Sequence, residues 1–246
     1  PAGIELGGYP GELVNVTPAS LKAEYDRILS TAYIDVMVQG VDEARVADML
    51  LKKLDGIRRD PRPFAAPVAM PATPLRHFKE EIPGLTQAKL CMLFTLGQPM
   101  QPQQLAAVRL AMALYGGSVT SRLFLNVRER DHLCYYCSAS FQSFTGSMAV
   151  NSGVEHADAA RAEQAILKEL ADLCDGPITD EELEDCRRGL LSGMNGVEDS
   201  LGGMETWYYI EVLRAGANSA APIQTPAQAR AALQAVTKED VRSILR

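Results

Sequence analysis

Apolar residues fall at helical spacing along several stretches of the chain and at strand spacing along others, and the two periods alternate. Val16-Thr17-Pro18-Ala19-Ser20-Leu21 reads as a helix entry. Thr17 is placed to cap, Pro18 to occupy the first helical position, and Val16 to staple against Leu21. This pattern predicts a helix to about Leu29, a strand over Tyr33 to Gln39 closed by Gly40, and a second helix from Asp42 to Leu54 through Val46, Met49 and Leu50. Pro61, Pro63, Pro67, Pro71 and Pro74 then interrupt any regular period, as a linker does.

Regularity returns near Thr86. Ala88 to Leu96 reads as a well-buried strand, and Gln103 to Tyr115 as an apolar-faced helix stopped by Gly116-Gly117. A short helix is predicted from about Ser121 to Arg130. A strand follows from Leu133 to about Phe141, and a hairpin partner from Ser147 to Gly153 across a turn at Gly146. Ala157 to Cys174 carries Ala162, Ile166, Leu170 and Leu173 on one side, and Thr179-Asp180-Glu181-Glu182 forms a capping box for another long helix. Glycines at 189, 193, 196, 202 and 203 weaken that helix, with a break or close packing expected near Gly202-Gly203. Val236-Thr237-Lys238-Glu239-Asp240-Val241 repeats the grammar of the first helix entry, which suggests two related units cut out of phase.

Composition narrows the possibilities. A chain of 246 residues with 47% hydrophobic content can build a substantial core. Its net charge of -7 offers no footprint for nucleic acid or an anionic membrane, so neither is expected as a partner. No apolar run approaches the roughly 20 residues a membrane-spanning helix needs. The start lacks a signal core and an initiator Met, which points to numbering that begins inside a longer parent. Five scattered cysteines do not make a disulfide framework, and a reducing, cytoplasmic setting is expected. Cys134-Tyr135-Tyr136-Cys137 spells C-x-x-C, but strand alternation would point the two thiols to opposite faces, so two partly buried thiols are expected rather than a zinc site.

Motifs for chemistry are sparse. The histidines, at 77, 132 and 156, share no metal-ligand spacing. His77-Phe78-Lys79-Glu80-Glu81 begins like His-x-x-Glu-His, but a glutamate stands where the second histidine is required and Pro83-Gly84 follow. Gly189-Leu190-Leu191-Ser192-Gly193 is not a nucleophile elbow, and Gly116-Gly117-Ser118 lacks the lysine of a phosphate loop. Arg128 and Tyr135 stand out instead. A tight turn through Asp131-His132 would bring them to one edge, where a guanidinium fork and a phenol can grip carbonyls or a developing oxyanion. On these residues alone, a surface arginine and a core tyrosine remain the simpler alternative.

The run Gly116-Gly117, Ser121-Arg122-Leu123-Phe124, Val127-Arg128-Glu129-Arg130 and Leu133-Cys134-Tyr135-Tyr136 resembles the signature of the second domain of the insulinase, pitrilysin and mitochondrial-processing-peptidase family of zinc metallopeptidases. The wording Asn126-Val127-Arg128-Glu129 and Tyr135-Tyr136 is similar to paired insulinase-like proteins of Gram-positive bacteria. The resemblance implies an α/β (α+β) fold, a mostly antiparallel sheet covered by helices on one side. It implies that residues 1–60 close the preceding insulinase-like domain as helix-strand-helix, that 61–76 are a Pro-rich linker, and that 77–246 form the second, inactive domain without its last strand.

It also implies that Arg128 and Tyr135 bind substrate and that Gly116 and Gly117 sit at a possible substrate-guiding loop. No residue of this chain is implied as catalytic or as a zinc ligand, so the chain alone is expected to be inactive and to carry no cofactor. Zinc is expected in the catalytic domain of the parent or a partner. The partners implied are a peptide or protein substrate and the family's catalytic domain in cis or a homologous subunit in trans; a homodimer, through swapping, is the further partner considered. The alternative is an inactive pseudopeptidase subunit or scaffold that pairs with a catalytic homologue. The orphan unit of residues 17–40 could also complete the sheet within one molecule or by swapping.

Overall fold

A computed structural model describes residues 7–62, 71, 73–97, 100–217 and 222–246. Most of the predicted linker at 61–76 and the first residues of the chain lie outside the described residues. The chain divides into two compact units, Pro1–Ala65 and Ala66–Arg246.

The first unit holds α1 (Pro18–Thr31) and α2 (Glu43–Leu54). Thr17 and Ser20 form the reciprocal cap expected of the first helix, and Asp42 accepts the Arg45 N–H at the start of the second. Arg59 ties the end of α1 to the chain after α2 by donating to the carbonyls of Leu29 and Ala32, the latter at 2.6 Å. Residues 33–39 are not a strand. Alternating apolar residues suit a strand, but a strand exists only where its N–H and C=O groups find a ladder, and the sheet of this structure does not include them. No described residue of this unit is buried, and Leu21, Tyr25, Met49 and Leu51 are exposed.

The second unit is built on a three-stranded antiparallel sheet of β1 (Ala88–Thr95), β2 (Tyr136–Gln142) and β3 (Ser147–Val154), ordered β1-β3-β2. The register places Leu90 opposite Ser152, Met92 opposite Val150, and Val150 opposite Ala139. One face is apolar: Met92 and Phe94, Met148, Val150 and Val154, and Cys137 and Ala139 point to the core. The other face carries Lys89, Cys91 and Leu93 on β1 and Tyr136, Ser138 and Ser140 on β2, all exposed. The apolar run of β1 therefore does not mean burial on both sides, because β1 is an edge strand with helices over one face only.

Those helices are α3 (Leu105–Met112), which continues as a π-helical turn to Gly117, then α4 (Ala159–Asp175), α5 (Asp180–Glu198), α6 (Leu201–Ala217), α7 (Pro226–Ala235) and α8 (Lys238–Leu245). Leu110, Leu114, Tyr115, Val127, Ile166 and Leu173 fill the space above the sheet. The phenol of Tyr115, fully buried, donates to the Ile166 carbonyl at 3.0 Å, and burial pushes its pKa well above the ordinary tyrosine value. Capping boxes at Thr179 and Thr237 form as their sequences predict. The break in the glycine-rich region falls at Asp199-Ser200, and Gly203 packs tightly there, since an added Cβ would lie 2.7 Å from the Val197 carbonyl oxygen.

Helix α7 is held at its end from a distance. Buried Arg187 on α5 donates to the carbonyls of Leu233 and Gln234 at 2.7 Å and of Val236 at 3.0 Å, adding to the Val236 N–H that already reaches the Leu233 carbonyl at the end of the helix. Arg187→Leu is expected to lower the unfolding free energy by roughly 2–4 kcal/mol, because acceptors away from water lose a charged donor. Urea denaturation followed by circular dichroism measures it, and a loss below the error of extrapolation would show that water replaces the arginine.

Candidate functional site

The segment between α3 and β2 sets up the candidate site. Gly116 lies so close to β2 that an added Cβ would be 2.7 Å from the Ala139 backbone nitrogen and 2.8 Å from its Cβ. Gly117 is equally tight against the Met112 carbonyl oxygen, at 2.9 Å. These contacts give both glycines a packing reason to be small. From there Leu123–Arg130 runs as a π-helical segment, a wider coil than the short α-helix expected over the same residues.

Two buried polar ties hold that segment. Arg122 at its start donates from Nε to Glu182 Oε1 at 3.0 Å and from Nη2 to the Pro177 carbonyl at 2.7 Å. Asn126 donates to the buried carboxylate of Glu169 at 2.9 Å. The exit is equally defined. The Asp131 N–H returns to Asn126 and the Leu133 N–H to Val127, while His132 takes a φ of 52°, the left-handed conformation that reverses the chain.

The reversal brings Arg128 and Tyr135 together. Arg128 Nε donates to the Tyr135 carbonyl at 2.8 Å, its guanidinium lies 4.7 Å from the Phe124 ring centroid, and Nη1 pairs with Glu129 at 3.0 Å. Its Nη2 keeps both hydrogens without a hydrogen-bond partner among the described residues. Tyr135 continues the ladder by donating its N–H to the Gly153 carbonyl at 2.8 Å, and its half-exposed phenol donates to the carboxylate of Glu155. The simpler alternative of a core tyrosine does not hold, since Tyr135 is exposed. Phe124 lies in the signature run of the sequence without a role being evident there, and Glu155, which engages the Tyr135 phenol, carries no sequence motif that would single it out.

The C-x-x-C geometry differs from its expectation. β2 begins at Tyr136, so only Cys137 follows strand alternation, and Cys134 precedes the strand; Cys134, Cys137 and Ser152 influence one another electrostatically. Burial pushes Cys134 up and Cys137 up to about 12, which keeps both as thiols rather than metal-binding thiolates. All five cysteines are free.

Among the described residues no group of three or more His, Cys, Asp or Glu side chains could hold a metal. His132 sits in the exposed turn, and His156 opens a single helical turn at residues 156–158. No described helix is long and apolar enough to cross a membrane.

Comparison with known proteins places the chain in a family. Residues 15–190 match the model of the peptidase M16 inactive domain. The probable inactive metalloprotease YmfF of Bacillus subtilis is 26% identical over 156 residues, which cover 63% of this chain and 35% of that protein. A crystal structure of a conserved protein from Enterococcus faecalis superposes with a TM-score of 0.86 at 26% identity, over 98% of this chain and 56% of the other. The peptidase M16 inactive domain from Pseudomonas fluorescens shares the fold at 18% identity and a TM-score of 0.63, over 93% of this chain and 54% of the other. The chain thus spans about a third of the curated relative and just over half of these two structures.

The Arg122–Glu182 tie gives a pH signature. Burial alone would raise the Glu182 pKa, but hydrogen bonds from Arg122 and from the Thr179 backbone and hydroxyl outweigh it and hold the carboxyl below its usual 4.5. A lowered folded pKa adds stability that is present above the unfolded value and lost as pH falls through the folded one. Stability is therefore expected to drop as pH falls below about 4.5, and Glu182→Gln to be less stable at neutral pH with a shallower acid limb. Urea midpoints measured between neutral and acid pH check this, and an unchanged acid limb would assign the loss to other carboxyls.

Proposed function

The chain belongs to the peptidase M16 inactive-domain family, and from that premise we propose that it is the substrate-holding, non-catalytic half of an insulinase-like zinc peptidase. The observation that carries this reading is the pairing of Arg128 with Tyr135. One hydrogen bond locks the arginine to the tyrosine backbone while its Nη2 and the phenol remain at the surface. Held in this way, the guanidinium meets a peptide carbonyl with little further loss of side-chain freedom. The phenol can exchange its bond to Glu155 for one to the same peptide. Its hydroxyl is suited to a carbonyl oxygen whose negative charge grows during attack. Hydrolysis itself belongs to a zinc site outside this chain, in the parent protein or a paired subunit.

The first unit supports the same division of labour. α1 and α2 bury no residue and leave Leu21, Tyr25, Met49 and Leu51 exposed, so the described residues of this unit build no core of their own. We read it as the closing part of a preceding domain, with the second, inactive domain following the linker. A second reading draws on the relative named as a probable inactive metalloprotease: a parent that itself lacks His-x-x-Glu-His would act as a scaffold for an active homologue. An in-frame His-x-x-Glu-His upstream in the parent gene excludes that reading, and its absence there excludes zinc chemistry in cis.

In the parent protein, Arg128→Ala and Tyr135→Phe are each expected to weaken binding of a fluorescein-labelled peptide roughly tenfold, about 1.4 kcal/mol. Fluorescence anisotropy and peptide turnover provide the readouts. Unchanged affinity and unchanged turnover in both variants would remove the proposed role.

A further inference from the structure

A cavity of about 250 Å³ lies on the helical side of the sheet among α3, α5, α6 and the end of β2. Val108, Met112, Phe141 and Leu190 give it apolar walls, and Arg109 and Arg214 give it charge. The two arginines are not matched by carboxylates. Glu211, buried on α6, is the acid beside them, and it is already engaged by Nη1 of Arg214 and by the Gln224 N–H at 3.0 Å. The Nε of Arg214 is buried without a hydrogen-bond partner.

Arg109 is more isolated still. Among the described residues its guanidinium makes no hydrogen bond and no ion pair, and its one polar contact is with the face of Trp207, 5.5 Å from the ring centroid. Burial, together with the like charge of Arg214, lowers its pKa from the ordinary arginine value, and Glu211 opposes this only in part. A half-buried arginine that gives up water and gains only a ring face leaves hydrogen-bonding capacity unused. Two guanidinium groups facing one committed carboxylate leave one unit of positive charge uncompensated in an apolar recess. An anion entering the recess would use donors the protein already holds in place.

We propose that this cavity is a carboxylate-binding site for an apolar peptide residue, its side chain against Val108, Met112, Phe141 and Leu190 and its carboxylate held by Arg109, with the guanidinium of Arg214 adding positive charge from the same lining. The volume supports an anchor for one residue, since pockets for whole small ligands span about 300–1,000 Å³. The planar guanidinium fork selects a carboxylate over a neutral amide. Choice of a peptide as the ligand rests on the reading of this family member as a substrate-holding domain. The carboxylate can come from a chain terminus or from an acidic side chain next to an apolar residue, and the chemistry of the site is the same.

Trp207 is the single tryptophan of the sequence and contacts Arg109, so its fluorescence reports the cavity directly. The 246-residue protein is titrated with acetyl-Leu-Phe as the free acid, acetyl-Leu-Phe as the carboxamide, and acetyl-Leu-Glu-Phe as the carboxamide. The free acid is expected to change the emission saturably and to bind at least tenfold more tightly than its amide. A comparable response to the glutamate peptide assigns recognition to side chains as well as termini, and no response restricts it to termini. Arg109→Gln is expected to abolish the change at equal ligand concentration.

If Arg109→Gln loses its helical circular dichroism, Arg109→Lys decides, because it keeps the charge and loses the fork, and several-fold weaker binding is expected. Equal binding of acid and amide, no saturable response, or unchanged binding in the folded arginine variant would each overturn the site. None of these results bears on anisotropy changes at Arg128 and Tyr135, so the two readings fail separately.

Discussion

The contact between the end of α3 and β2 is the constraint on which the rest of the second unit depends. Gly116 lets the helix backbone reach the Ala139 backbone, with no space for even one added carbon. That approach closes the core over β2 and β3 and fixes where the π-helical segment starts. It thereby fixes the turn that joins Arg128 to Tyr135. A larger residue would have to push helix and strand apart, and closely packed interiors transmit such a shift rather than absorb it.

Arginine does two kinds of work here, told apart by how many of its donors are satisfied. Arg122 and Arg187 are buried and spend their donors on carbonyls and carboxylates that belong to the fold. Arg128 and Arg109 are only partly committed: each rests on an aromatic face, at 4.7 and 5.5 Å respectively, and keeps donors in reserve. An aromatic face orients a guanidinium without consuming its N–H groups. The first pair holds helices in place, and the second pair supports the readings of ligand binding.

Local chemistry made much of the architecture legible. Thr17, Thr179 and Thr237 cap their helices as sequence alone predicts, because the partner lies three residues away and no tertiary contact is involved. The hairpin around Gly146 was legible for the same reason. Helix α7, with its cap at Thr225 and Gln228, had a signal of the same kind at Thr225-Pro226 that the apolar pattern did not bring forward. Expectations that depended on distant partners fared worse. Residues 33–39 have the alternation of a strand but no place in the sheet, and β1 reads as doubly buried although it lies at an edge. Strand alternation does not govern Cys134, because the strand begins only at Tyr136, a boundary set by pairing with Gly153.

By itself the sequence determined the helical and strand periods of most elements, the caps at Thr17, Thr179 and Thr237, and the short turn that allows Arg128 and Tyr135 to meet. These follow from interactions within a few residues, which backbone geometry and side-chain type largely settle. Only the tertiary structure decided which donors remain unused. Whether Arg122 is a tie and Arg109 is free depends on Glu182, Pro177, Trp207 and Glu211, residues 55 to 102 positions away. The balance of charge in a recess is a property of what folding brings together, and the order of residues does not contain it.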